Sequence, residues 1–285
     1  IIVDKPFKLR AGTLIMVPVI NLPGFERQER YLPDRRDLNR CFPGSKRGSL
    51  ARRMARVVFD EIVRRSDFGI DLHTAAVRRT NFPNVRADLN DPVLADFARA
   101  FGAELIISSQ GPAGSLRRSA TKIGCQTLIL EAGEAWKVEP TIVEYTIRGV
   151  VNCLRHLGMV DGELTLPPFR VETNATSWVR AQNGGFLRFH VTPGDFVSKG
   201  DKLATNLSLV GQRLNVIKAP RSGFVLGMTT LPSVAPGDPI CHLAYPRHGE
   251  LSRVVRAAER LDEDALHERV KEDLARSVFA LKDGG

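Results

Sequence analysis

Three short polar clusters carry the chemistry this chain could do: Asp37-Leu38-Asn39-Arg40, Asp71-Leu72-His73 and Glu131-Ala132. Two of them close apolar runs. Asp67-Phe68-Gly69-Ile70 leads into Asp71-Leu72-His73, and Leu128-Ile129-Leu130 leads into Glu131. A carboxylate and an imidazole at the carboxyl ends of buried strands add little to core packing, and they are well placed for a metal ion and a water. Residues i and i+2 of a strand share a face, so Asp71 can stand behind His73 and orient its ring. A carboxylate ending a hydrophobic strand is costly to bury unless a metal, a cation or a proton compensates it. Beside a metal, Glu131 could take a proton from bound water and return it to a leaving nitrogen. In the loop ahead of Phe42-Pro43-Gly44, the Asn39 amide and the Arg40 fork could grip a carboxylate or polarise an amide carbonyl. Each cluster also has a plainer use: a structural histidine, a Glu–Arg salt bridge, an Asx-turn beside an exposed arginine.

The surrounding pattern must position these groups. Leu14 to Ile20 reads as a buried strand ending at Asn21-Leu22-Pro23-Gly24, followed by a polar loop to about Ser49. Ser49 could cap a helix to about Arg65, with Leu50, Met54, Val57, Val58 and Ile62 at helical spacing. After the strand ending at His73, a helix is expected from Asp91 to Phe101, with Pro92 at a first position that needs no amide donor. Glu104 to Ser108 and Thr127 to Leu130 read as strands, and Pro140 to Leu157 as a helix. This alternation predicts an α/β fold with a mostly parallel or mixed sheet flanked by helices over residues 1–162.

The pattern changes near Asp161. Residues 163–246 consist of short β runs with Gly and Pro turns, in two halves: Gly185 to Leu203, and Ala219 to Gly227 closing with Pro236-Gly237-Asp238-Pro239-Ile240. The pair resembles a biotinyl/lipoyl-type β-hairpin barrel. The carrier function of that fold needs a modified lysine at a hairpin tip, and Leu207 to Arg213 offers none. A structural copy of the fold is therefore expected. Residues 247–285 form a charged tail whose Val254, Ala258, Leu261, Leu266, Val270, Leu274 and Val278 make an apolar stripe, suited to helix packing or to a homo-oligomer contact.

Composition narrows the partners. At 285 residues the chain can bury a full core, and no apolar run approaches the roughly 18–20 residues that span a bilayer. Net charge is +9, mostly from arginine pairs such as Arg35-Arg36 and Arg117-Arg118. These suit an anionic small molecule, or simply solvated helix faces. With aromatics at 7% and no basic-aromatic stripe, nucleic acid is not expected. The four scattered cysteines read as reduced thiols of a cytoplasmic protein.

Val17-Pro18-Val19-Ile20-Asn21, Asp37 to Arg40 before Phe42-Pro43-Gly44, Asp71-Leu72-His73-Thr74 and Leu130-Glu131-Ala132-Gly133 occur here in that order, ahead of the Gly-rich β region. Together they resemble the succinylglutamate desuccinylase/aspartoacylase family, relatives of the zinc carboxypeptidases, over about residues 10 to 245. The resemblance implies a zinc-carboxypeptidase-like fold and zinc-dependent hydrolysis of the amide of a small N-acyl amino acid, or a related compound, to a carboxylate and a free amine. It implies one zinc per subunit and a small, anionic N-acyl substrate. Carried over by motif, His73 would be a metal ligand, Glu131 the general base and acid, and Asn39 and Arg40 the binders of the substrate carboxylate. Arg118-Ser119-Ala120 is similar to the family's second carboxylate-binding segment, which adds Arg118.

The sequence departs from that pattern upstream. The family's first two ligands, in a His-Gly-Asp/Asn-Glu motif, precede the Val17 strand by several tens of residues. Here sixteen residues precede Val17, with no histidine and Asp4 the one acid among them. One histidine cannot hold a catalytic zinc that takes about three protein ligands. The opening Ile1-Ile2 without Met points to a segment lost ahead of it. A misassigned start, or a non-catalytic binding or regulatory protein on the same scaffold, is the alternative.

Overall fold

The computed structural model describes residues 8–247, 249–260 and 265–278. Helix α1 (Leu22–Arg27) opens under Asn21, whose Oδ1 accepts from the Gly24 amide at 3.1 Å. Helix α2 (Leu50–Glu61) starts at the expected cap. The Ser49 hydroxyl accepts from the Arg52 amide, and Asp34 Oδ2 accepts from the Ala51 amide at 2.9 Å, so two of the end amides are satisfied. Strands β1 (Phe68–His73) and β2 (Arg79–Ala87) follow. Helix α3 (Pro92–Ala100) begins with its proline, while Asp91 Oδ1 accepts from Val93 and Leu94 at 3.0 and 3.2 Å. Next come β3 (Leu105–Ser108), the short α4 (Leu116–Thr121), β4 (Gln126–Glu134) and α5 (Pro140–His156).

The later chain supplies β5 (Val171–Thr173), β6 (Thr176–Arg180), β7 (Gly185–Phe189), β8 (Phe196–Val197) and β9 (Lys202–Leu207). It continues through β10 (Arg213–Lys218), β11 (Gly223–Thr229), β12 (Ser233–Val234) and β13 (Pro239–Ala244). Helices α6 (Leu251–Ala258) and α7 (Leu266–Ala275) close it.

The main sheet runs β1-β4-β2-β11-β13-β6, with β3 beside β2, β5 beside β3 and β8 beside β11. It is mixed: β1 lies parallel to β4, and β3 to β2 and β5, whereas β2 and β4 are antiparallel. Leu128 and Leu130 of β4 and Val85 and Ala87 of β2 bury one face against Leu94, Phe97 and Tyr145 of the helices. The expected sheet flanked by helices is thus present. A second sheet runs β10-β9-β7-β12. The two halves of the chain share a ladder: β11 pairs with β2 through Gly227–Asn81, Met228–Thr80 and Thr229–Arg79. Buried along its whole length, β11 sends Phe224 and Leu226 into the main core and Val225 and Met228 into a second one.

Two local expectations fail. Leu14 to Ile20 forms no strand, and Ile15, Met16 and Val17 are substantially exposed. A strand needs a neighbour for its ladder, and none of the described residues pairs with this run. β2, in contrast, has no counterpart in the sequence reading, because Pro83 and two asparagines argue against a central strand. The tail stripe packs inward: Val254, Val270 and Leu274 enter the main core and Val278 the second. Leu261 lies outside the described residues. Cys125, Cys153 and Cys241 are buried free thiols and Cys41 is half-buried. No helix among the described residues is long and apolar enough to cross a membrane.

Candidate active site

The parallel register of β1 and β4 pairs Asp71 with Ile129 and His73 with Glu131, so Asp71, His73 and Glu131 project from one face, opposite the core. His73 Nε2 lies 3.0 Å from Asp71 Oδ2. Burial pulls the imidazole toward its neutral form. The Asp71 carboxylate, helped by the charge of Glu131, outweighs burial and holds the pKa above the ordinary histidine value, while Arg30 opposes them. The geometry leaves Nδ1 as the ring nitrogen free to meet a ligand.

β2 extends this face. Its register sets Asn84 against Glu131 and Arg86 against Ile129. Asn84 Nδ2 donates to the carbonyls of Phe82 and Glu131 at 2.9 and 3.1 Å, and its Oδ1 accepts from Arg86 Nε at 3.1 Å. Asn81 Nδ2 reaches Glu131 Oε2 at 3.5 Å. Farther along, the same row continues through Gly227 on β11 and His242 on β13 to Trp178 on β6. Trp178 stacks on His242 with centroids 4.6 Å apart, and the Arg79 guanidinium lies 4.6 Å above the indole. Burial, with the charges of Arg86 and Arg79, lowers the His242 pKa to about 4, so its ring is neutral at pH 7 and Arg79 carries the charge of this wall.

Above the strand ends, two loops lock together. Leu38 to Arg40 form one 3-10 turn under Asp37, whose Oδ1 accepts from the Asn39 amide at 2.9 Å and whose Oδ2 accepts from Arg30 Nη2 at 2.8 Å. Asn39 Oδ1 then accepts from the Leu116 amide at 2.8 Å, and the Phe42 amide donates to the Gly114 carbonyl at 2.9 Å. Gly114 (φ +78°) must lack a side chain, since a Cβ would fall 2.4 Å from the Arg40 carbonyl. Asn39 therefore ties the two loops together and keeps its amide hydrogens for a ligand. Arg40 is exposed and lines, with Arg30, Tyr31, Arg36, Asp37 and Cys41, an open depression.

The arginine pair on α4 divides its work. Arg118 donates to the Gly111 carbonyl at 3.3 Å. Arg117 is the buried member, 6% exposed, donating to the Ser109 carbonyl at 2.5 Å. Burial lowers its pKa to about 10, with Arg86 adding to the fall, while Asp71 and Glu131 pull the other way. Arg117 thus feels the charges of both carboxylates of the site. Sequence reasoning passed over Arg86 and named Arg117 only as one of the arginine pairs; its burial is decided by packing alone.

Among the described residues, no three His, Cys, Asp or Glu side chains come together as a metal-holding group. His73 with Asp71 behind it suits one donor position of a zinc site, and by itself that set does not hold the ion.

Residues 4–157 match the model of the succinylglutamate desuccinylase/aspartoacylase catalytic domain. An N-alpha-acetyl-L-2,4-diaminobutyric acid deacetylase from Halomonas elongata is 28% identical over 247 residues, covering 82% of this chain and 72% of the relative. The product-bound ectoine utilization protein EutE (DoeB) from Ruegeria pomeroyi superimposes with a TM-score of 0.74 at 24% identity, over 84% of this chain and 76% of that one. A succinylglutamate desuccinylase/aspartoacylase from Rhodobacter sphaeroides gives 0.69 at 24% identity, over 81% and 74%. The two structural matches speak for a shared fold, and the family match covers more than half of the sequence. The chain belongs to the succinylglutamate desuccinylase/aspartoacylase family.

Proposed function

We propose that this protein hydrolyses the amide bond of a small N-acyl amino acid, or a related N-acyl compound, to a carboxylate and a free amine. The observation that carries the reading is the in-register pairing of His73 with Glu131 at adjacent strand ends, with Asp71 behind the imidazole. The name of the Halomonas elongata relative supports an acetylated amino acid as the substrate class.

Each group has a role that its position permits. Glu131 takes the proton of the attacking water and later delivers it to the leaving nitrogen. Arg40 and the Asn39 amide hold the substrate carboxylate at the rim, with Arg118 on α4 as a second cation. Arg117, buried and held by Ser109, contributes positive charge beneath the site. His73, with Asp71 behind its ring, would be one ligand of a zinc ion, which takes about three protein ligands in a catalytic site. When bound, zinc makes a water acidic enough to attack an amide near neutral pH. The sheet β10-β9-β7-β12, with its neighbours from the main sheet, forms a biotinyl/lipoyl-like wall beside the entrance. Three Asp turns built alike support that likeness: Asp195, Asp201 and Asp238 each accept from the amide three residues upstream at 2.8 Å.

The test is release of free amine from N-alpha-acetyl-2,4-diaminobutyrate, N-succinylglutamate and a panel of N-acetyl amino acids by the full-length protein, with and without a chelator. Turnover of at least one acylated amino acid, abolished by chelation and restored by zinc, is expected. Binding of these compounds with no turnover by the zinc-loaded protein would replace the hydrolase reading with a binding one.

A further inference from the structure

The strand β2 carries an irregularity that the chemistry described above does not use. Its register with β4 sets Asn81 against Gly133 and Asn84 against Glu131, so three steps on β2 are matched by two on β4. On an unbroken strand, residues three apart point to opposite faces. The extra residue, at Phe82-Pro83, brings both asparagines onto the Glu131 face, and Pro83 has no amide to leave unpaired there. The two then take different tasks. Asn84 closes the bulge by donating to the carbonyls of Phe82 and Glu131, while Asn81 donates to the Glu131 carboxylate itself.

A second irregularity lies directly across. β11 carries its own register shift between Val225 and Gly227, which sets Gly227 against Asn81. A Cβ at Gly227 would fall 2.3 Å from Asn81 Oδ1 and 2.8 Å from the Thr80 carbonyl. Gly227 is therefore a notch into which the Asn81 amide fits, and Asn81 is 7% exposed. Bulges beside a working side chain commonly re-aim it. Here two bulges on adjacent strands, from the two halves of the chain, converge on one amide.

We infer that Asn81 is a positioning residue for Glu131, held by the Gly227 notch, so that the later β region helps set the orientation of the base. The inference rests on the proposed hydrolase reading. Asn81 fixes which way the carboxylate of Glu131 points and leaves substrate binding to the arginine loops. Because its donor faces the carboxylate, its loss leaves Glu131 present and free to rotate.

The experiment compares wild type, Glu131→Gln, Asn81→Ala and Asn81→Asp on one acylated amino acid that the wild type turns over. Asp keeps the shape of Asn, removes the donor and sets a second carboxylate beside Glu131. Both Asn81 variants are expected to lose at least about 10-fold in kcat with KM within about twofold, since small misplacements of a reacting group are costly. In a crystal structure of Asn81→Ala, Glu131 should adopt a second orientation. Unchanged kcat in Asn81→Asp, or a rise in KM at constant kcat, overturns the inference. Asn81→Gln provides the control on folding: partial return of kcat is expected, and kcat no better than that of Asn81→Ala would also overturn it. Failure of the hydrolase reading itself is distinguishable, because Glu131→Gln would then turn the substrate over as fast as wild type.

Discussion

His267 makes the seat of α7 sensitive to acid. Its imidazole is 4% exposed, between the rings of Phe82 and Phe169 at centroid distances of 5.0 and 5.4 Å. Nδ1 has no hydrogen-bond partner and lies 3.9 Å from Glu104 Oε1, while Nε2 lies 3.8 Å from Glu268 Oε1. Burial, with the charge of Lys271 adding, lowers its pKa from 6.5 to about 3. The unfolded chain regains the ordinary value, so between these limits it binds a proton that the folded chain refuses. The stabilising contribution is therefore complete above pH 6.5 and falls as pH drops toward 3. At about 1.4 kcal/mol per pH unit, the loss at pH 5 is about 2 kcal/mol. Two other groups overlap this window. His242, lowered to about 4, adds a loss of the same sign, whereas Glu104, raised by burial, acts in the opposite direction above its ordinary value. The comparison with His267→Phe isolates the one term, since a phenyl ring suits the slot between two others and does not titrate. In urea unfolding at pH 7.5 and 5.0, wild type should lose about 2 kcal/mol more than the variant, or about 4–8 °C in a thermal scan. Equal losses in the two proteins would refute the reasoning.

Three further outcomes are expected. Gly149→Ala in α5 should destabilise by about 1–3 kcal/mol despite the better helix former, because a Cβ would sit 2.2 Å from the Phe101 ring; denaturant unfolding reads this directly. Asp91→Ala removes the acceptor for the Val93 and Leu94 amides and for the Gln126 side chain, and should cost about 1–2 kcal/mol by the same assay. Asp71→Asn removes the charge behind His73 and should weaken zinc retention about 10–100-fold in a chelator competition on the full-length protein.

The sequence exposed the parts of this site that obey strand periodicity. Asp71 and His73 are two apart at the end of an apolar run, and Glu131 ends another, so their shared face followed from chain order and alternation. The cap at Ser49 and the Pro92 start of α3 were readable for the same local reason. What stayed hidden depends on neighbours. Asn81 and Asn84 reach one face only through a bulge beside Pro83, a residue that argues locally against a strand. Arg117 and Arg118 are indistinguishable as neighbours in the chain; the turn of α4 and the packing beneath it bury the first and leave the second half-buried. His242 and Trp178 join the face because β11 pairs across to β2, a contact that joins residues about 150 positions apart. Leu14 to Ile20 shows the converse, an apolar run whose strand character has no partner among the described residues.

The central claim is that the His73–Glu131 pair cleaves an acylated amino acid. The most direct test is the kcat of zinc-loaded wild type against Glu131→Gln, measured on the best substrate at matched metal content. Loss of a general base should lower kcat about 100- to 10,000-fold with little change in KM. Turnover by Glu131→Gln at the wild-type rate would contradict the account.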